Sequence, residues 1–193
     1  MRNKLFIAIL VLIFLSACGA ATPAPISSGG VNIDPPRTIN DGTFINQFGK
    51  TAHLSDLHGK TVLMFFGYTN CPDVCPITLS DFTRIKLSLG KLADKVAFVF
   101  VSVDPTRDTP EVLTRYLAAF DKSFIGLTPD DATLQQMTKD FQIVFSKADT
   151  GLIGHSTESY VLDAQGRLRT VYPVGTLPDP MAADIRTMLS SGG

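Results

Sequence analysis

Continuous apolar runs and helical spacings of apolar residues divide most of the chain into predicted elements. Residues 61–68 and 95–104 are almost wholly apolar and rich in β-forming residues, which predicts two strands buried on both faces of a sheet. Apolar residues recur at helical spacing in four places and predict helices over 77–92, from Pro110 onward, over 130–141 and over 179–191. Short extended segments are predicted at 124–128 and 142–147.

Turn residues complete this outline. Asp41-Gly42 and Phe48-Gly49-Lys50 predict hairpin turns ahead of the first buried strand, and Ala164-Gln165-Gly166 predicts another within residues 158–173. Strands and helices then alternate, and the chain closes with a hairpin and a last helix. This order predicts an α/β domain, with a mixed central sheet flanked by helices and an added N-terminal β-hairpin.

The N-terminus has the pattern of a targeting segment. Two basic residues precede an apolar run from Leu5 to Ala17, which is shorter than the roughly 20 residues of a transmembrane helix. We therefore predict a signal peptide over residues 1–17. The sequence Leu15-Ser16-Ala17-Cys18 resembles the lipobox of bacterial lipoproteins, which implies acylation of Cys18. A signal anchor with an incidental cysteine is the alternative.

The segment after Cys18 predicts a tether and a location. Residues 18–36 are small, nearly uncharged and rich in Pro, Gly and Ser, as in flexible linkers, so the folded domain is expected over 37–193. We expect an extracytoplasmic monomer, lipid-anchored to the cell membrane. The chain is 18% charged with a net charge of −1 and has no basic stripe, which argues against a nucleic-acid partner.

Cys71 and Cys75 lie between the first buried strand and its helix, and each is followed by proline. Since proline disfavours helical geometry in the residue before it, the helix is predicted to start at Pro76. Both thiols would then lie in a loop at the positive end of a helix, where the pKa of a thiol falls below its usual ~8.5. The spacing permits a redox disulfide or chelation of a metal, whereas a purely structural staple would contribute at most about 2 kcal/mol.

A metal site needs a further ligand, and the chain has three histidines. His53 and His58 lie in a polar, turn-rich stretch typical of the surface, while His155 stands just before a predicted strand. Thiolates favour Cu(I), Zn or Fe–S clusters, and imidazole suits Zn and Cu. A structural zinc site wants four protein ligands, so two sulfurs and one nitrogen suit copper better.

Three motifs resemble the Sco/SenC family of copper-binding assembly proteins for cytochrome c oxidase. They are GYTNCPDVCP (67–76), VSVDPTRDTP (101–110) and the later His155-Ser156, and the resemblance covers roughly residues 36–190. It implies a thioredoxin-like fold and one copper ion per domain, Cu(I), Cu(II) or both, bound by Cys71, Cys75 and His155. The family commonly has an acidic residue directly before this histidine, whereas this chain has Gly154.

The resemblance also implies a function and partners. A metallochaperone, rather than an enzyme, would help to build the dinuclear copper centre, with cytochrome c oxidase subunit II or its copper donor as partner. An extracytoplasmic thiol-disulfide oxidoreductase that keeps target cysteines reduced is the alternative, but disulfide exchange does not need His155. A peroxiredoxin-like peroxidase using Thr69 is a third hypothesis, which the closeness of the second cysteine opposes.

The motif VSVDPTRDTP has two interpretations. Its Asp-Pro and Thr-Pro steps are ordinary turn and helix-cap chemistry. Alternatively, Asp104 or Arg107 contacts the metal ligands without binding the metal itself, or helps a partner to dock.

Overall fold

The structure, a computed structural model, describes residues 29–147 and 152–191. The predicted signal peptide and Cys18 lie outside these residues. Within the described ranges, no helix is both long enough and apolar enough to cross a bilayer.

Strands and helices alternate through the middle of the chain, as the hydrophobic pattern predicted. The strands are β1 (Val31–Thr38), β2 (Thr43–Asn46), β3 (Thr51–His53), β4 (Thr61–Gly67), β5 (Val96–Ser102), β6 (Ile125–Pro129), β7 (Phe145–Lys147), β8 (Ile153–His155), β9 (Ser159–Leu162) and β10 (Arg167–Tyr172). The α-helices are α1 (Val74–Leu89), α2 (Pro110–Ala118), α3 (Asp131–Phe141) and α4 (Pro178–Ser190). Short 3-10 helices cover Leu54–Leu57 and Gly90–Lys95.

Eight of the strands form one mixed sheet in the order β1-β10-β9-β4-β5-β6-β2-β3. Strands β4, β5 and β6 run parallel, and the other pairs are antiparallel. Every residue of β4 and β5 is buried, because helices cover both faces of the sheet centre. Strands β7 and β8 form a separate two-stranded sheet.

Aromatic side chains fill the core on both sides of β4 and β5. Phe98, on β5, packs against Phe82 of α1 at 6.1 Å between ring centroids. Phe66 of β4 packs against Phe141 of α3 at 5.0 Å, on the other face. Burying each such ring contributes roughly 1.5–3 kcal/mol, so this layered core fixes where the strand ends lie.

The N-terminal part of the sheet differs from the prediction. The turn at 48–50 does join a hairpin, β2 with β3. The turn at Asp41-Gly42 does not, because β1 pairs with β10 at one edge of the sheet and β2 pairs with β6 towards the other. Asp41 instead accepts hydrogen bonds from the amide and hydroxyl of Ser55 at 3.1 and 2.6 Å.

Strand β1 also extends the folded domain six residues further toward the N-terminus than the predicted start at Arg37. The sequence favoured a tether there because the segment that ends with Pro35 and Pro36 is small, nearly uncharged and rich in Pro, Gly and Ser. An edge strand tolerates such residues, and the pairing of β1 is irregular between Asn32 and Arg37, where both prolines lie.

Gln47 links the β2–β3 hairpin to the central sheet. Its side chain is 8% exposed, donates to the Phe124 carbonyl at 2.9 Å and accepts from the Gly126 amide at 3.0 Å. The side-chain amide therefore adds two hydrogen bonds just beyond the last paired residues of β2 and β6, Asn46 and Leu127.

We expect Gln47→Ala to lower the free energy of unfolding by about 1–3 kcal/mol, because it leaves buried main-chain groups of Phe124 and Gly126 without partners. Urea unfolding followed by circular dichroism measures this. The matched control is Gln165→Ala, since Gln165 is an exposed turn residue. Equal stability of the two variants would contradict the assigned role.

Candidate functional site

The two cysteines lie at the carboxyl end of β4, where the chain enters α1. Cys71 is half-buried and lies in the loop, whereas Cys75 is fully buried as the second residue of α1. The helix begins at Val74, so the predicted start at Pro76 is wrong. Proline is tolerated in the first turn because the amides there have no partner within the helix.

The Cys71 sulfur lies at the N-terminus of α1. Its Sγ accepts a hydrogen bond from the Cys75 amide at 3.4 Å, and the Cys71 amide donates to the Tyr68 carbonyl at 3.2 Å. The two thiols are not joined by a disulfide. The loop thus already holds both residues close enough to act together on one metal ion or one disulfide.

The predicted low thiol pKa is wrong for Cys75. Burial raises the pKa of this thiol well above its usual range, and its hydrogen bond with Cys71 adds to the rise. A hydrogen bond with the Tyr68 backbone opposes these effects without reversing them. Without a nearby cation, Cys75 therefore stays protonated at neutral pH.

Close packing against β4 explains this burial. A Cβ atom added to Gly67 would lie 2.9 Å from the Cys75 Sγ and 2.8 Å from ring atoms of Phe65 and Phe100. Glycine at this position lets α1 approach the strand. The side chain of Cys75 therefore packs against an apolar part of the sheet, at Gly67.

Asp108 is a buried residue beside the cysteine loop that sequence reasoning missed. Its carboxylate is fully buried and accepts from the Thr69 amide at 3.2 Å, from the Thr69 hydroxyl at 2.6 Å and from the Ser102 hydroxyl at 2.6 Å. Burial raises the pKa of Asp108, and the hydrogen bonds from Ser102 and Thr69 oppose that rise. The residue lies within the motif VSVDPTRDTP, which was the only available signal for it.

Asp104 and Arg107 form an ion pair beside the cysteine loop. Asp104 is 2% exposed, and the Arg107 Nε donates to its carboxylate. The Arg107 guanidinium also lies over the Tyr68 ring, 5.9 Å from its centroid. The ion pair thus contacts Tyr68, the residue just before the cysteine loop, through Arg107. A role of Asp104 or Arg107 toward a metal or a partner stays a prediction.

The backbone of His155 ends β8, opposite Phe145 of β7. The Ile153 amide of the same strand donates to the Tyr68 hydroxyl at 3.2 Å, in a buried hydrogen bond. This contact brings β8 to the residue that precedes the cysteine loop. Within the described part of the chain, no three Cys, His, Asp or Glu side chains form a metal-binding group, and the imidazole of His155 is not among the described side chains.

The other two histidines lie away from the cysteines. His58 is exposed, lies three residues before β4 begins and approaches Gly166, so it occupies the opposite end of that strand from Cys71. His53 is in the edge strand β3, where its Nδ1 lies 3.2 Å from the Gly42 carbonyl. Their interpretation as histidines outside the site agrees with these positions.

Comparison with known proteins identifies the family. The profile of SCO1/SenC matches residues 32–190. The chain belongs to the SCO1/SenC family. A SCO2-like protein of Rickettsia felis is 32% identical over 182 residues, which cover 86% of this chain and 89% of the relative.

Solved structures of the family agree with the fold. Bradyrhizobium japonicum ScoI with copper bound has 35% sequence identity and a TM-score of 0.71, over 77% of this chain and 98% of that protein. Apo Sco1 from Thermus thermophilus has 33% identity and a TM-score of 0.76, over 86% and 99%. The predicted family and the predicted thioredoxin-like α/β fold are confirmed.

The difference in burial predicts unequal reactivity of the two thiols. In the reduced, metal-free protein we expect iodoacetamide to modify Cys71 at least about tenfold faster than it modifies Cys75, because only accessible thiolate reacts. Timed quenching followed by peptide mass spectrometry measures both rates. In urea the rates should converge, and equal rates in the native protein would contradict the buried position of Cys75.

Proposed function

We propose that this chain is a metallochaperone that binds one copper ion through Cys71, Cys75 and His155. Its cargo would go to the dinuclear copper centre of cytochrome c oxidase subunit II. The observation that carries the proposal is the adjacent pair of reduced cysteines at the start of α1, with the His155 strand hydrogen-bonded to Tyr68. The copper-bound Bradyrhizobium japonicum ScoI, a structural relative, supports copper as the metal.

The chemistry of the cysteines fits a soft metal ion. Thiolates bind Cu(I) strongly, and binding must remove the thiol protons. A buried Cys75 thiolate is unfavourable alone, so a cation at its sulfur supplies the missing compensation. The half-buried Cys71 gives copper a route in from solvent. Imidazole would add the nitrogen ligand that suits Cu(II).

Thiol-disulfide exchange is the second candidate function. The Cys75 amide lies 3.4 Å from the Cys71 Sγ, so the two residues are close enough to pair after a modest local rearrangement. The accessible Cys71 thiolate would attack a target disulfide and release one target thiol. Cys75 would then attack the mixed disulfide and release the second thiol. The two electrons gained by the target would come from the Cys71 and Cys75 thiols, which are oxidised to a Cys71–Cys75 disulfide.

Copper titration with a single-residue change tests the proposal. In a Cys18→Ser background, Cys71 and Cys75 are the remaining cysteines. We expect one copper per reduced protein. His155→Ala should retain Cu(I) but weaken Cu(II) binding by about tenfold or more, because imidazole is the ligand suited to Cu(II). Replacing either cysteine by serine should abolish binding of both ions.

His58→Ala is the matched control and should bind copper like the unchanged protein. Undiminished Cu(II) binding by His155→Ala would disprove the three-ligand site. Oxidised protein should bind little copper, since a disulfide removes both thiolates. In cells lacking the endogenous assembly factor, normal rescue of oxidase by His155→Ala at limiting copper would favour disulfide exchange.

The proposed location rests on the lipobox resemblance and on the tether. Acylation of Cys18 would hold the domain at the outer side of the cell membrane, where a disulfide can form between the remaining cysteines. More than one acyl chain is needed for firm attachment.

We expect Cys18→Ser to abolish incorporation of a labelled fatty acid and to leave the precursor uncut, because acylation requires the thiol. Metabolic labelling followed by electrophoresis measures both. Cys71→Ser is the control and should label normally. Undiminished label on the Cys18→Ser protein would contradict the proposed acylation of Cys18.

A further inference from the structure

Tyr68 is the point where three segments around the site meet. It directly follows β4, and only 3% of it is exposed. Its carbonyl accepts from the Cys71 amide at 3.2 Å, and its ring lies under the Arg107 guanidinium. Its hydroxyl accepts from the Ile153 amide at 3.2 Å. One residue therefore contacts the cysteine loop, the loop after β5 and strand β8.

The contact with β8 matters because that strand is short and lies outside the main sheet. Strands β7 and β8 have three residues each and pair with one another. A two-stranded ribbon of this size is at best marginally stable alone, so its position depends on bonds to the domain core. The hydroxyl of Tyr68 supplies such a bond from a buried and well-packed residue.

Ile153 and His155 are two positions apart in the same strand. At about 3.3 Å per residue, the amide held by Tyr68 lies some 7 Å along the strand from the His155 backbone. Because both residues belong to one three-residue strand, a displacement of Ile153 also moves the backbone of His155. On the other side, the Tyr68 carbonyl fixes the amide of Cys71.

We infer that the Tyr68 hydroxyl is a positioning group that sets the distance between the His155 backbone and the two cysteines. The inference rests on the proposed three-ligand copper site and assigns a residue that holds it together. It also gives Arg107 a role, since a guanidinium stacked on the ring restrains the tyrosine. The hydroxyl acts through the strand and does not bind the metal.

Tyr68→Phe is the direct test, because it keeps the ring and removes the hydroxyl that accepts from the Ile153 amide. We expect Cu(II) affinity to fall about threefold to tenfold, the range for one lost hydrogen bond, and Cu(I) affinity to stay within about twofold. Competition with a chelator of known affinity gives both values for the full-length Cys18→Ser protein in detergent. The thiolate-to-Cu(II) charge-transfer band should shift, which a change in stability alone would not cause.

Tyr172→Phe is the matched control. Tyr172 is 1% exposed, and its hydroxyl donates to Asp184 of α4 at 3.0 Å, so the change also removes one buried hydrogen bond. It should destabilise the protein without altering Cu(II) affinity or the absorption band. An equal loss of Cu(II) affinity in Tyr172→Phe would overturn the inference, since general loosening would then explain the effect.

A double-variant cycle separates this inference from the proposed function. If Tyr68 acts through His155, Tyr68→Phe should cause no further loss of Cu(II) affinity in the His155→Ala protein. The same loss in both backgrounds would overturn the inference while leaving the copper site intact. If His155→Ala itself binds Cu(II) normally, the three-ligand site fails, and the positioning role fails with it.

Discussion

One buried carboxylate, Asp108, joins the two loops on which the site depends. Strands β4 and β5 are parallel and in register to their last residues, Gly67 opposite Ser102, so both loops leave the sheet at the same edge. Asp108 bonds to Ser102 on one strand end and to Thr69 on the other loop, two residues before Cys71. Its carbonyl also accepts from the Thr128 hydroxyl of β6 at 3.1 Å.

The hydrogen bonds of Asp108 restrain the position of the cysteine loop at the sheet edge. Several polar groups at the sheet edge are buried, and each would cost about 1–3 kcal/mol if left without a partner. A carboxylate accepts several hydrogen bonds at once, and bonds to a charged group are stronger than neutral ones. These hydrogen bonds therefore stabilise the conformation of the segment that leads to Cys71.

The burial of Cys75 shows which of two opposing effects is larger. A helix N-terminus stabilises a nearby negative charge by about 0.3–1 kcal/mol at exposed sites. Full burial can shift a pKa by as much as 3–5 units, and each unit is worth about 1.4 kcal/mol. Desolvation therefore outweighs the helix at Cys75. The half-buried Cys71, whose sulfur accepts a hydrogen bond from a helix amide, keeps more contact with water, so the two thiols lie in unequal environments.

Local patterns predicted much of this fold, and long-range contacts account for most of what they missed. The apolar runs that became β4 and β5 have no polar interruption, and Thr109 caps α2 ahead of Pro110 as its sequence indicated. The pairing of β1 with β10 joins residues far apart in the chain, and nothing local indicates it. Asp108 was missed for the same reason, since its role depends on Thr69, which lies 39 residues earlier in the chain.

The cysteine pair was accessible to sequence reasoning because both residues lie in one short motif. The protonation of Cys75 was not, because it depends on how closely α1 approaches Gly67 and Phe100. The prediction for His155 came from a resemblance and from its residue type. The described structure adds the course of its strand, whose first residue, Ile153, is hydrogen-bonded to Tyr68.

The glycine before His155 has a local explanation in the pairing of β7 with β8. Gly154 lies opposite Ser146, and a Cβ atom added there would be 3.3 Å from the Ser146 Oγ and 3.9 Å from its carbonyl oxygen. A larger side chain would require Ser146 to shift by a few tenths of an ångström. Gly154, in place of the acidic residue that the family resemblance led us to expect, therefore permits close contact between two short strands. That exchange leaves the main-chain bond from β8 to Tyr68 untouched, because the amide of Ile153 makes it.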